Sequence, residues 1–126
     1  MYKWRILAGS EPFNIRKGIN MIAKLKELLG IKPAPDYRQL LKEGAVIVDV
    51  RSRGEYTGGH IKGSKNIPLL TLNANPPIQK DKNKPIITCC ASGMRSASAK
   101  NVLRSNGFTN VHNGGGWISL KSKISS

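Results

Sequence analysis

Seven consecutive residues, Cys90-Ala91-Ser92-Gly93-Met94-Arg95-Ser96, have the types and spacing for nucleophilic sulfur chemistry. An apolar run, Pro85-Ile86-Ile87-Thr88-Cys89, leads into them, and a helix-like segment, Ala97 to Ser105, follows. A cysteine between a strand and a helix N-terminus meets unpaired backbone N–H groups and the positive end of a helix dipole. That setting lowers a thiol pKa from about 8.5 toward roughly 3.5–7.5 and cradles an anion beside the sulfur. Ala91, Ser92 and Gly93 are small enough for a tight turn, and Gly93 can take a positive φ. Arg95 adds a fixed planar cation at the end of the loop. The expectation is Cys90 as nucleophile, with the N–H groups of Ala91, Ser92, Gly93, Met94, Arg95 and Ser96 available to the sulfur and to a small anionic substrate. The plain alternative is an inert cysteine buried at a strand end.

Cys89 raises a second register. Counted from it, the loop reads Cys-x5-Arg, the spacing of cysteine phosphatases. Those loops usually place glycine three residues after the cysteine; from Cys89 that position is Ser92, and from Cys90 it is Gly93. Cys89 is therefore expected to be the last strand residue, facing the core. The two cysteines are adjacent and close no useful loop, so a disulfide scaffold is excluded and a reducing, cytoplasmic setting is expected. The two histidines lie far apart and no cysteines have ligand spacing, so neither a metal site nor a cofactor is expected.

A chain of 126 residues suits one core. No apolar run approaches the ~20 residues of a membrane-spanning helix. The balance of 21 Lys and Arg against 7 Asp and Glu gives a net charge of +14. Seven basic and two acidic residues fall in 1–33, fourteen and five in 34–126. Such a surface attracts anions of any kind. No five-residue basic block and no aromatics interleaved with basics are present, so specific nucleic-acid binding is not expected.

Residues 1–34 read as a basic N-terminal extension. Within it, 19–31 has Ile22, Leu25 and Leu29 at helical spacing opposite Lys24, Lys26 and Glu27. This amphipathic helix either packs on the domain or rests on a membrane surface or partner. Pro33 and Pro35 end it. Asp36 then caps a short helix, Tyr37 to Glu43, stopped by Gly44. Ala45 to Val50 is continuously apolar up to Asp49, as a parallel strand covered on both faces should be. A short helical turn follows from Glu55, then a strand within Ile61–Leu70 around Lys65 to Pro68. A polar surface connection over 71–84 comes next, then the strand before Cys90 and the helix to Ser105. Phe108 to His112 reads as the last strand, Gly114 to Trp117 as a turn, and 122–126 as a tail. Strands alternating with helices imply an α/β fold with a parallel sheet.

The chain resembles the rhodanese-like domain family. Val48-Asp49-Val50-Arg51, Glu55-Tyr56, Gly59-His60-Ile61-Lys62-Gly63-Ser64 and Asn66-Ile67-Pro68 are similar to its leading motif. Cys90-x-x-Gly93-x-Arg95-Ser96 is similar to its active-site loop, and Gly107-Phe108 through Gly115-Gly116-Trp117 to its closing motif. The resemblance covers roughly residues 35–121. It implies a three-layer fold with a five-stranded, mainly parallel sheet, and sulfane sulfur transfer through a Cys90 persulfide. The implied donor is a small anion such as thiosulfate, and the acceptor a thiol or cyanide; a monomer is expected. Rhodanese loops are one residue shorter than phosphatase loops, which suits sulfur over phosphate. The alternatives are a non-catalytic binding module and a small-oxyanion phosphatase or arsenate reductase using Cys89 or Cys90. Asp49 and Arg51 are expected in support. Asp49 would accept hydrogen bonds from loop backbone, and Arg51 would pair with Glu55 four residues on. His60 is expected to brace a turn, and Trp117 to lie under the glycine turn or wall the site.

Overall fold

A computed structural model of the protein describes residues 35–125 together with Leu28 and Leu29. Apart from those two leucines, the basic extension and its amphipathic helix lie outside the described residues. A compact unit begins at Pro35. It runs α1 (Tyr37–Lys42), β1 (Val46–Asp49), α2 (Arg53–Thr57), β2 (Lys65–Asn66), α3 (Leu69–Leu72), β3 (Ile86–Cys90), α4 (Met94–Ser105), β4 (Val111–Gly116) and α5 (Trp117–Ser125).

The four strands form one parallel sheet in the order β2-β1-β3-β4. Every residue of β3 is buried. Alternation along that strand sends Ile86 and Cys90 into one apolar cluster and Ile87 and Cys89 into the other. Leu72 of α3 and Ala99 and Leu103 of α4 cover the first face. Tyr37 of α1 and Leu120 of α5 cover the second. Three layers result, as the resemblance implies, with four strands among the described residues in place of five. Among the described residues no helix is long and apolar enough to cross a membrane.

Local chemistry explains the element ends. Asp36 caps α1, its Oδ1 accepting from the N–H groups of Arg38 (3.1 Å) and Gln39 (3.2 Å). Ser52 and Glu55 form a reciprocal capping box on α2. The stretch around 61–70 is strand only at Lys65 and Asn66, opposite Val48 and Asp49. Pro68, which carries no N–H, then stands at the N-cap of α3. The connection after it is partly core: Leu72 and Ile78 are buried. Helix α4 starts at Met94, three residues before Ala97, because Gly93 at φ 100° turns the chain directly into it. Residues 122–125, expected as a tail, continue α5.

The last strand differs most from expectation. Phe108 does not begin it; its N–H closes α4 on the carbonyl of Leu103 at 3.1 Å, and its ring joins the core. β4 instead starts at Val111 and runs through Gly114, Gly115 and Gly116, the residues read as a turn. Gly114 and Gly116 have no room for a side chain, and Gly115, at φ 80°, takes a left-handed conformation that glycine tolerates. A Cβ on Gly114 would lie 2.8 Å from Ile87 Cγ2 and 2.9 Å from both Leu120 Cδ2 and the Thr88 carbonyl oxygen.

Gly114→Ala is therefore expected to overpack the second core face and cost about 1–3 kcal/mol. A urea titration checks this: the midpoint falls while the slope stays that of the wild type.

Candidate active site

Cys90 ends β3, an inner strand of the sheet, at the carboxyl edge where α/β proteins place their ligands. Its Sγ accepts the Gly93 N–H at 2.9 Å and the Ser96 N–H at 3.4 Å, and Ser96 Oγ lies 3.5 Å away. The left-handed turn at Gly93, with no side-chain cap on α4, aims the first N–H groups of the helix back at the sulfur. Burial raises the Cys90 pKa, but the bonds from the Ser96 hydroxyl and from the Ser96, Gly93 and Ser92 N–H groups outweigh it. The net direction is downward. Cys89, one residue earlier, points into the opposite face. Burial is the main cause that pushes its thiol up to about 12, with Asp49 and Cys90 adding and Arg51 opposing. The strand pleat thus separates a stabilised thiolate from an inert thiol. It also puts the Cys-x5-Arg register on the wrong face.

The loop closes over its own sulfur. Cys90 is 0% exposed, while Ala91, Ser92 and Met94 are exposed above it. Met94 is 79% exposed, so its side chain points away from the sulfur. β4 presses on this loop from the side. A Cβ on Gly93 would lie 3.3 Å from Gly115 Cα, and one on Gly116 would lie 2.9 Å from the Ala91 carbonyl oxygen.

Asn113, which no motif singled out, ties the two together. Its Oδ1 accepts the Ser96 hydroxyl at 2.6 Å and the Gly115 N–H at 2.9 Å, and its Nδ2 donates to the Gly93 carbonyl at 3.3 Å. Thr88 adds a hydroxyl donated to the Ser96 carbonyl at 2.9 Å. The Ser96 hydroxyl has one proton. Cys90 Sγ, Asn113 Oδ1 and the Gly93 carbonyl all lie near it, so the Asn113 amide competes with the thiolate for that proton. A lone polar residue in a glycine-rich strand carries no sequence signal for this role; only its position opposite Thr88 reveals it.

The supporting ion pairs are arranged differently from expectation. Arg51 does not pair with the Glu55 carboxylate. It pairs with Asp49, its Nη2 at 2.7 Å from Oδ2 and its Nε at 2.9 and 3.0 Å from the two oxygens. Asp49 is 0% exposed, and an uncompensated carboxylate there would be costly, so the nearest guanidinium is drawn inward. Asp49 also accepts the Arg51 N–H at 3.0 Å. Arg51 goes on to donate to the carbonyls of Gly59 (2.6 Å) and Glu55 (3.3 Å), and stacks 4.6 Å from the Trp117 ring centroid. Trp117 accordingly packs against the 49–59 segment. His60 stacks on Tyr56 with centroids 3.8 Å apart, its Nδ1 2.8 Å from the Tyr56 carbonyl. Glu55 is left to pair across 40 positions with Arg95 of the cysteine loop, at 2.7 and 3.0 Å.

This geometry predicts unequal thiols. Alkylation of Cys90 follows a titration midpoint below the ordinary value of about 8.5, so its rate persists to lower pH than that of a free thiol. Ser96→Ala removes one donor to the charged form and moves the midpoint up by about one pH unit. Cys89 stays unmodified until the protein unfolds. Peptide-resolved mass spectrometry after iodoacetamide pulses across pH 5–9 measures all three.

Comparison with known proteins converges on one family. The description "Rhodanese-like domain" matches residues 33–122. The chain is 41% identical over 70 residues to the uncharacterized protein YqhL of Bacillus subtilis (strain 168), covering 55% of this chain and about half (54%) of that protein's length. It is 36% identical over 87 residues to thiosulfate sulfurtransferase GlpE of Pseudomonas fluorescens (strain SBW25), covering 68% of this chain and 79% of that one. The human single-domain sulfurtransferase TSTD1 superposes with a TM-score of 0.61 at 29% identity, over 71% of this chain and 92% of that one. With the parallel sheet, the cysteine at its carboxyl edge and these matches in hand, the chain belongs to the rhodanese-like domain family.

Proposed function

We propose that the protein is a sulfurtransferase in which Cys90 carries sulfane sulfur as a persulfide. The observation that carries this reading is the set of donors, from Gly93, Ser96 and Ser92, converging on a sulfur whose twin at position 89 has none. The Cys90 thiolate attacks the outer sulfur of an anionic donor such as thiosulfate. The new S–S bond forms as the donor's S–S bond breaks, and sulfite leaves with the bonding pair. The acceptor, cyanide or a thiolate, then takes the outer sulfur and returns the Cys90 thiolate. Splitting the transfer into two displacements replaces one hard step by two easier ones. Hydrogen bonds that favour the charged form lessen the need for a separate general base. Ala91, Ser92 and Gly93 lift to admit the donor, since Cys90 has no exposed surface in the closed loop. Similarity to the Pseudomonas thiosulfate sulfurtransferase supports thiosulfate as a donor. Both cysteines are free, which fits a reducing, cytoplasmic setting with thiol acceptors.

Intact-mass measurement after mixing with thiosulfate tests the reading. The expected result is a gain of one sulfur atom, discharged by cyanide as thiocyanate, absent in Cys90→Ser and retained in Cys89→Ser. A wild-type protein that gains no sulfur from thiosulfate or from a persulfide donor is instead a binding module. Hydrolysis of an aryl phosphate would point to the phosphatase chemistry.

A further inference from the structure

Arg95 lies in the first turn of α4, and its charge is already engaged. Both terminal nitrogens face the two oxygens of Glu55, and both side chains are near two-fifths exposed. Glu55 does not follow Arg95 freely. Its Oε1 also accepts the Ser52 N–H and the Ser52 hydroxyl, each at 3.1 Å, so the carboxylate is anchored to α2. The hydrogen bonds from Arg95 first, and those from Ser52 next, hold the Glu55 pKa down to about 2, so the pair persists at any working pH. The guanidinium feels Glu55 most, and then the charges of Cys90 and Asp49, the latter neutralised by Arg51. It also lines an open cleft of about 270 Å³ with Val50, Ser52, Pro68, Leu69 and Leu70. Arg95 immediately precedes Ser96, whose N–H donates to the Cys90 sulfur at 3.4 Å, and it is open to an incoming anion, yet turned toward a competing carboxylate.

We infer that Glu55 is a specificity-determining residue that masks Arg95 and so lowers the preference of the Cys90 site for anionic over neutral reagents. The inference rests on Cys90 being the reactive thiol. An anion approaching Cys90 must either displace Glu55 from the guanidinium or approach a pair with no net charge. Reducing Glu55 to an amide leaves the cation uncompensated while keeping the cap, because glutamine serves the capping box as glutamate does.

The test compares alkylation of Cys90 by iodoacetate and iodoacetamide, two reagents with the same leaving group and different charge. Each forms one Cys90 S–C bond and releases iodide. At low ionic strength, Glu55→Gln raises the iodoacetate-to-iodoacetamide rate ratio by about three- to tenfold. The double variant Glu55→Gln/Arg95→Met returns to within twofold of the wild-type ratio, and 1 M salt removes the gain in the single variant. Glu55→Asp keeps the charge but is too short to bridge Arg95 and Ser52 together, and raises the ratio by a smaller factor. It stands in if the glutamine variant does not fold. A ratio unchanged in every Glu55 variant overturns the inference. So does a gain that survives loss of Arg95. If the wild type turns over thiosulfate, its KM falls in Glu55→Gln by the same factor. No turnover at all counts against the sulfurtransferase reading alone, because the alkylation ratio needs none.

Discussion

A strand that ends in three glycines lies against the loop that shapes the reactive sulfur, and the rest of the site depends on that contact. Gly115 meets Gly93, and Gly116 meets the carbonyl of Ala91, at distances where a single added carbon would collide or crowd. The register between β3 and β4 slips between Thr88 and Cys90, so that Cys90 comes opposite Gly116. Asn113, opposite Thr88 just before the slip, bridges Ser96, Gly93 and Gly115 with its amide. This backing, with the Thr88 hydroxyl on the Ser96 carbonyl, holds the N–H groups of Gly93 and Ser96 on one atom.

Hydrogen bonding, not exposure, separates the two cysteines. Both are fully buried, and burial alone raises a thiol pKa. Cys89 sits in the second apolar cluster, where burial dominates and Arg51 only partly opposes it. Cys90 sits one pleat further, where a glycine turn and a helix start supply donors that outweigh it. The charge layout follows the same logic. The buried Asp49 takes the cation nearest to it, Arg51, which frees Glu55 for Arg95 at the surface. One buried carboxylate thereby decides the electrostatics of a loop forty residues away.

The strands and helices near the site were largely legible because their signals are local. The β-branched runs before Asp49 and Cys90 have to be covered on both faces, and Asp36 is a cap wherever it precedes a helix. Element ends were less legible where neighbours override local preference. Phe108 has strand propensity, yet its N–H is taken by the C-terminus of α4. Gly114 to Gly116 have turn composition, yet they pair in β4, where Gly114 and Gly116 have no room for a side chain and Gly115 takes a positive φ. The expected strand around Lys65 to Pro68 shrank to two residues, because the chain turns at Pro68 into α3.

By itself, the sequence determined the α/β class, the position of a cysteine before a helix, and the register that favours Cys90 over Cys89. Those follow from hydrophobic period, glycine placement and chain order, all of which act over a few residues. The tertiary structure alone decided which carboxylate meets which guanidinium, that Asn113 holds Ser96, and that the sulfur is closed over by its own loop. Each of these joins groups between two and forty positions apart. Their pairing is set by burial and by the distance between packed elements, and one-dimensional spacing carries no record of either.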